Sequence, residues 1–185
     1  MREKPLTRDI ATVGLLIAMQ IILLRFLSIQ TVLIRIDFAF IPIAFGAMLY
    51  GPLKGGIAAA TGDVVSFILF PPPFPFFPGF TITAFLVGVV YGLFLYRKPK
   101  TLVSVAVPVV IIALFLNLGL DTFWIIMIAG QGIPPVDQII PAFIGLMPVR
   151  IIRLVMVPVQ IVLITFLWKY VMEHLKNQFA IAVEK

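Results

Sequence analysis

Residues 71–80, PPPFPFFPGF, hold five prolines and four aromatics in ten positions. Proline lacks an N–H and its ring clashes with the preceding turn, so no regular helix runs through this stretch. Strongly apolar segments flank it at 55–70 and 80–96. Whatever these segments form, they form it as separate bodies joined by a stiff aromatic loop. Polar, flexible residues would connect two helices at less cost. Two readings follow. The loop is a rigid lid or wall for a flat, partly apolar ligand, with Pro73, Phe74, Phe76, Pro78 and Gly79 as its parts. Alternatively, it is a proline-rich turn whose phenylalanines pack on neighbouring helices or on the lipid interface.

The medium comes from composition. The chain is 62% hydrophobic and 12% charged, whereas a soluble domain is about half apolar and a quarter charged. It is an integral membrane protein, all-α, because helices satisfy their own backbone groups in lipid. Its 185 residues fit one domain. Cysteine is absent and the single histidine is His174 in a polar tail, which excludes disulfides and argues against a metal site or a histidine-based triad. No G-x-x-x-x-G-K-[ST] phosphate loop is present, so ATP is not hydrolysed by that route. No cofactor is expected.

Six spans are expected, at about 7–27, 38–50, 55–70, 80–96, 102–128 and 140–172. The N-terminus, MREKPLTR before an apolar run, imitates a signal peptide. The length of the run and Arg25 at its far end favour a retained first span. Residues 28–37, SIQTVLIRID, read as an extended loop. The second span is short, roughly 20 Å against a ~30 Å hydrocarbon core, and needs shelter from its neighbours. GPLKGG at 51–56 and RKPKT at 97–101 read as turns, GQGIPPVDQ at 130–138 as a polar loop, and EHLKNQFAIAVEK as a polar tail.

Six spans put both termini on one side. That side then carries Arg2, Lys4, Arg8, Lys54, Arg97, Lys98, Lys100, Lys169, Lys176 and Lys185, while the opposite loops carry only Arg35. The positive-inside rule makes the basic side cytoplasmic. It also accounts for the net charge of +6 without nucleic acid as a partner. The loops 28–37, 71–80 and 130–138 fall outside.

Charges within membrane helices are expensive and mark function by default. There are five: Arg25, Asp63, Asp121, Arg150 and Arg153. Helix rise places most of them in the outer half, below the aromatic loop, with Asn117 one turn from Asp121. If the carboxylates pair internally with arginines, a positive excess is left. That excess suits an anion, since the guanidinium fork matches a carboxylate. Arg153, being deep, is the one best suited to a structural role. Phe77, Phe80 and Trp124 offer flat faces for stacking, although packing alone also explains such residues. The pocket so composed is for an aromatic heterocycle bearing an acidic group. Ala11, Gly14 and Ala18 place small residues on one face of the first helix, which permits close approach of another helix in this chain or a partner.

The stretches GLLIAMQIILLRFLSIQT, RIDFAFIPIAFGAMLYGPLKGG and FFPGFTITAFLVGVVYGLFLY resemble the substrate-binding S components of energy-coupling factor (ECF) transporters, the folate-specific type above all. The similarity covers most of residues 10–96 and continues more weakly through LNLGLDTFWI and the last span. It implies six helices with cytoplasmic ends, a multi-pass protein in a prokaryotic plasma membrane, and a vitamin held near the outer face. It implies association with a membrane T component and two ATP-hydrolysing subunits that topple the S component to release its cargo. It also implies that the small-residue face of helix 1 meets the T component. The family's A-x-x-x-A pattern is not kept here, because Leu15 stands four residues after Ala11. For folate, Phe77, Phe80 and Trp124 would stack on the rings. Asp63 or Asp121 with Asn117 would read the pterin edge, and Arg25, Arg35 or Arg150 would meet the glutamate carboxylates. The alternatives are an S component for biotin or pantothenate, a docking subunit that uses the aromatic loop, and an intramembrane enzyme. The last lacks a membrane histidine or a metal-ligand set.

Overall fold

A computed structural model describes residues 6–30, 35–71, 76–98, 101–130 and 135–183; side chains are described for all of these except residues 6–9, 29–30, 35–36, 136–138 and 172–183. The first helix, α1, spans Leu6–Phe26. Two three-residue strands follow, β1 (Ser28–Gln30) and β2 (Arg35–Asp37), paired antiparallel with Ile29 opposite Ile36. The segment 28–37, expected to be an extended loop, is therefore a short ladder in its described parts. Its β-branched residues favour that state.

Asp37 leads into α2 (Phe40–Tyr50), its Oδ1 accepting from the Ala39 N–H at 2.9 Å. Gly51, at φ +86°, makes the whole turn, and α3 (Pro52–Leu69) starts at once with proline in its first turn. Proline suits that position because its missing N–H has no intrahelical partner there. The expected turn over 51–56 thus shrinks to one residue. The same device starts α4 (Pro78–Leu95). Pro78 and Gly79, expected in the loop, belong to the first turn of this helix.

Thr101 caps α5 (Leu102–Ile111), its hydroxyl accepting from the Ser104 N–H at 3.3 Å. The helix passes into a π-helical segment, Ile112–Leu120, and then into α6 (Asp121–Ala129). One span was expected over 102–128; the rod is continuous, but its middle is widened. The last expected span is α7 (Val136–Ile151), a 3₁₀ turn (Ile152–Val155) and α8 (Met156–Val183). Pro158 explains the turn, since its ring crowds the carbonyl four residues earlier. The C-terminal segment, expected to be a polar tail, is helical to Val183. EHLKNQFAIAV contains no glycine or proline to stop it.

The tightest packing joins α2, α3 and α4. A Cβ on Gly88 would stand 2.6 Å from the Gly55 carbonyl oxygen, and one on Gly55 would stand 2.6 Å from the Ala47 Cα. Only glycine allows backbones this close. Beside this seam Tyr91, Leu95, Val105, Val109 and Ile164 are almost fully buried, which ties α4, α5 and α8 into the core. On α1, Gln20 is buried and its Nε2 donates to the Ala59 carbonyl at 3.0 Å, holding α1 to α3.

Among the described residues, three helical stretches are long and apolar enough to cross a bilayer: Pro78–Leu95, Leu102–Ala129 and Ile139–Val171. Shorter apolar helices lie at Ile10–Phe26 and Phe40–Tyr50. Large apolar side chains such as Leu15, Ile82, Phe115, Ile144 and Phe166 face outward. Lipid is the solvent that suits such a surface.

Candidate functional site

The first turn of α4 organises one end of the fold. Gly79 sits beneath two rings. A Cβ there would meet the Trp124 ring at 2.5 Å and would also collide with Phe77. The Phe77 and Trp124 centroids are 5.6 Å apart at 52°, and Phe77 and Phe80 are 6.1 Å apart, edge to face. Such tilted and edge-on pairs suit the quadrupoles of the rings. Phe76 packs edge-on against Phe67 of α3 at 5.0 Å.

One turn into α4, two threonines face opposite neighbours. The Thr81 hydroxyl donates to Asp63 Oδ2 on α3 at 2.9 Å. The Thr83 hydroxyl accepts from Trp124 Nε1 at 3.1 Å and lies 3.2 Å from the Gly79 carbonyl, to which it donates. Residues two apart on a helix are about 200° apart around its axis. Hence α4 runs between two polar groups.

The larger group is built where the widened helix meets α7. Asp121 opens α6 and is 8% exposed. Its Oδ2 accepts from Arg153 Nη1 at 3.2 Å, an ion pair. Asp121 Oδ1 is buried with no hydrogen-bond partner among the described residues. Arg150, in the last turn of α7, is 2% exposed, and its Nη2 donates to the Asn117 carbonyl at 3.1 Å. Among the described residues, two guanidiniums therefore share this buried region with the Asp121 carboxylate. Above them lie the Trp124 and Phe77 rings. An aromatic layer over a net positive layer can hold a flat ring and an attached anion. A buried carboxylate oxygen can, in addition, accept from a ring N–H.

With this geometry in view, the comparisons with known proteins are decisive. A family model for the ECF transporter substrate-specific component matches residues 8–173. The chain belongs to this family. It is similar to two proteins described as folate transporter FolT. One is from Clostridium novyi, at 43% identity over 118 residues, covering 64% of this chain and 68% of the relative. The other is from Leuconostoc mesenteroides, at 33% over 165 residues, covering 87% and 84%. Among solved structures it resembles the crystal structure of FolT bound with folic acid. There the TM-score is 0.72 and the identity 32%, over 87% of this chain and 92% of the other.

Within this S component the residues singled out by sequence fall in separate places. Asn117, Asp121 and Arg150, with Arg153, form the charged layer, and Phe77, Phe80 and Trp124 form the aromatic one. Asp63 stands apart on the α3 flank of α4, bound to Thr81. Arg25, near the end of α1, is exposed and lies over the Phe70 ring at 5.4 Å. The charges expected below the loop thus fall into separate groups, with α4 between Asp63 and Asp121. Arg153 has the internal partner expected of a structural arginine. The Arg35 side chain, Pro73 and Phe74 lie outside the described residues.

Ala11, Gly14 and Ala18 are all exposed, and a Cβ on Gly14 would meet nothing within 4 Å. Packing within the described chain therefore does not use this face of α1. Sequence reasoning passed over Thr81, Thr83 and Gln20. The available signal was a hydrogen-bonding side chain inside an apolar helix.

Proposed function

We propose that this S component binds folate at the outer face of a prokaryotic plasma membrane. It delivers the vitamin for uptake driven by a T component and two ATP-hydrolysing subunits. The observation that carries this reading is the likeness to FolT bound with folic acid, extending over 87% of the chain at 32% identity. The chain's own chemistry supports it. Trp124, Phe77 and Phe80 supply faces for the pterin and benzoyl rings. Asp121 Oδ1 is a buried acceptor for a pterin N–H, with Asn117 beside it. Arg150 supplies positive charge for the glutamate. Asp63, held by Thr81 on the far flank of α4, and the exposed Arg25 are left outside this ligand layer, and residues 71–77 act as the lid.

Six spans with cytoplasmic ends fit the lysine and arginine bias. The exposed face of Ala11, Gly14 and Ala18 is the surface for the T component, because small residues let a partner helix approach.

The test is equilibrium binding of folic acid to the purified protein, read by tryptophan fluorescence in detergent. Saturable quenching that disappears in Trp124→Phe supports the reading. Binding of biotin or pantothenate in place of folate would move the specificity and keep the class. No binding of any vitamin would leave a docking subunit as the better account.

A further inference from the structure

Thr83 is buried in α4, 5% exposed, in a helix whose other residues at that depth are largely apolar. A hydroxyl in such a place needs partners, since an unpaired polar group in an apolar medium is costly. Helical threonines commonly satisfy themselves on the carbonyl four residues back, and Thr83 does so with Gly79 at 3.2 Å. Its remaining capacity goes to a different helix, where it accepts from Trp124 Nε1 at 3.1 Å and also faces the Asp121 carboxylate. The indole is thereby held at two points. Its N–H is tied to Thr83, and its ring lies where a Gly79 side chain would be, 2.5 Å from the ideal Cβ position. Phe77, which also lies over Gly79, packs beside the indole with its ring centroid 5.6 Å away.

We infer that Thr83 is a positioning residue for the ligand site: its hydroxyl fixes the Trp124 indole against Gly79 and Phe77, and so sets the aromatic wall on which a heterocyclic ring stacks. The inference rests on the binding reading above, but its geometry does not. An indole pivots about two side-chain bonds, and a tied N–H removes that freedom before the ligand arrives. Preorganisation of this kind raises affinity by reducing what must be ordered on binding. Valine has nearly the shape of threonine but offers no acceptor. Serine keeps the acceptor and removes a methyl group.

The experiment has two readouts, both in a Trp168→Phe background that leaves Trp124 as the sole indole. The first is the indole N–H resonance of the ligand-free protein in detergent micelles. It is expected to shift to the position of an unbonded indole in Thr83→Val and to stay near wild type in Thr83→Ser. The second is folic acid affinity, expected to fall about three- to tenfold in Thr83→Val, the worth of one neutral hydrogen bond, and to recover in Thr83→Ser. Thr83→Ala repeats both readouts with less bulk, should the valine variant fold poorly. An unshifted resonance in the valine and alanine variants would overturn the assignment. So would a shifted resonance with unchanged folic acid affinity. If wild type does not bind folic acid at all, the binding reading fails, while the resonance still decides whether Thr83 holds the indole.

Discussion

Arg153 Nη1 lies 3.2 Å from Asp121 Oδ2, joining the 3₁₀ turn between α7 and α8 to the first residue of α6. The pair closes the charged layer from one side, while Arg150 closes it from the other by bonding the Asn117 carbonyl. Two irregular backbone segments thus meet at the site. The π-helical run 112–120 presents Asn117, and the 3₁₀ turn presents Arg153. Widened helical turns recur at functional sites because they redirect side chains and carbonyls.

Removing Asp121 leaves two buried guanidiniums without their carboxylate. Breaking one partner of a buried pair costs about 3–5 kcal/mol in soluble proteins. Asp121→Ala is therefore expected to lower the thermal midpoint in detergent. Asp121→Ala/Arg153→Met should recover part of the loss, because no orphan charge at 153 remains. Equal midpoints for the single and double variants would show that Arg153 is not a costly orphan charge once Asp121 is gone, and Arg153→Met alone completes the cycle that gives the coupling.

Arg150→Ala and Asp121→Ala are each expected to weaken folic acid binding about tenfold or more, the worth of a hydrogen bond to a charged group. Arg150→Lys keeps the charge but loses the fork, and should fall between Arg150→Ala and wild type. Isothermal titration of the three variants gives the ranking. Wild-type affinity in both alanine variants would remove the charged layer from the ligand site.

Gly79→Ala introduces a methyl group where the Trp124 ring stands 2.5 Å from the ideal Cβ position. The ring must move, so Trp124 emission should change and folic acid affinity should fall. Overpacking of this kind costs about 1–3 kcal/mol. The contrasting variant is Gly14→Ala, whose new methyl group meets nothing within 4 Å. It should leave emission and affinity unchanged, and the thermal midpoint level or slightly higher, because alanine suits a helix interior better than glycine.

Bulk on the exposed face of α1 separates binding from assembly. Gly14→Leu or Ala18→Leu should bind folic acid as wild type does, since neither position is packed against the described chain. Both should reduce recovery of the T component when the subunits are co-expressed and purified through the S component. Full recovery with both variants would place the partner surface elsewhere.

Gly88→Ala tests the helix seam. Its Cβ would stand 2.6 Å from the Gly55 carbonyl oxygen, a backbone atom with no rotamer to relieve the contact. The expected cost is about 1–3 kcal/mol, seen as a lower thermal midpoint with the aromatic wall intact. An unchanged midpoint would mean that α3 and α4 separate without penalty.

Much of this was legible in the residues. Apolar runs punctuated by Pro and Gly marked the helices, and Pro78 and Pro52 mark starts that the structure places within two or three residues of the expected ones. The charged and aromatic residues were conspicuous because an apolar helix has little reason to carry Asp121 or Arg150 unless something faces them. The ladder at 28–37 was less legible, since three-residue strands depend on the partner strand more than on their own propensity. Likewise, nothing in IALFLNLGL announces a widened helix.

The medium, the helical class and the residues able to bind an anion or a ring follow from the residues alone. Those properties follow from transfer free energies, from backbone satisfaction in lipid and from proline geometry, all of which act locally. The grouping came from how the helices pack. That packing set Asp63 on one flank of α4 and Asp121 on the other, gave Arg153 to Asp121, and bound Trp124 to Thr83 across 41 positions of sequence. Residues 81 and 83 look alike in a string of letters. A helix turns about 100° per residue, so which neighbour each one meets depends on how α3, α4 and α6 pack, and the glycine seam sets how closely α3 meets α4.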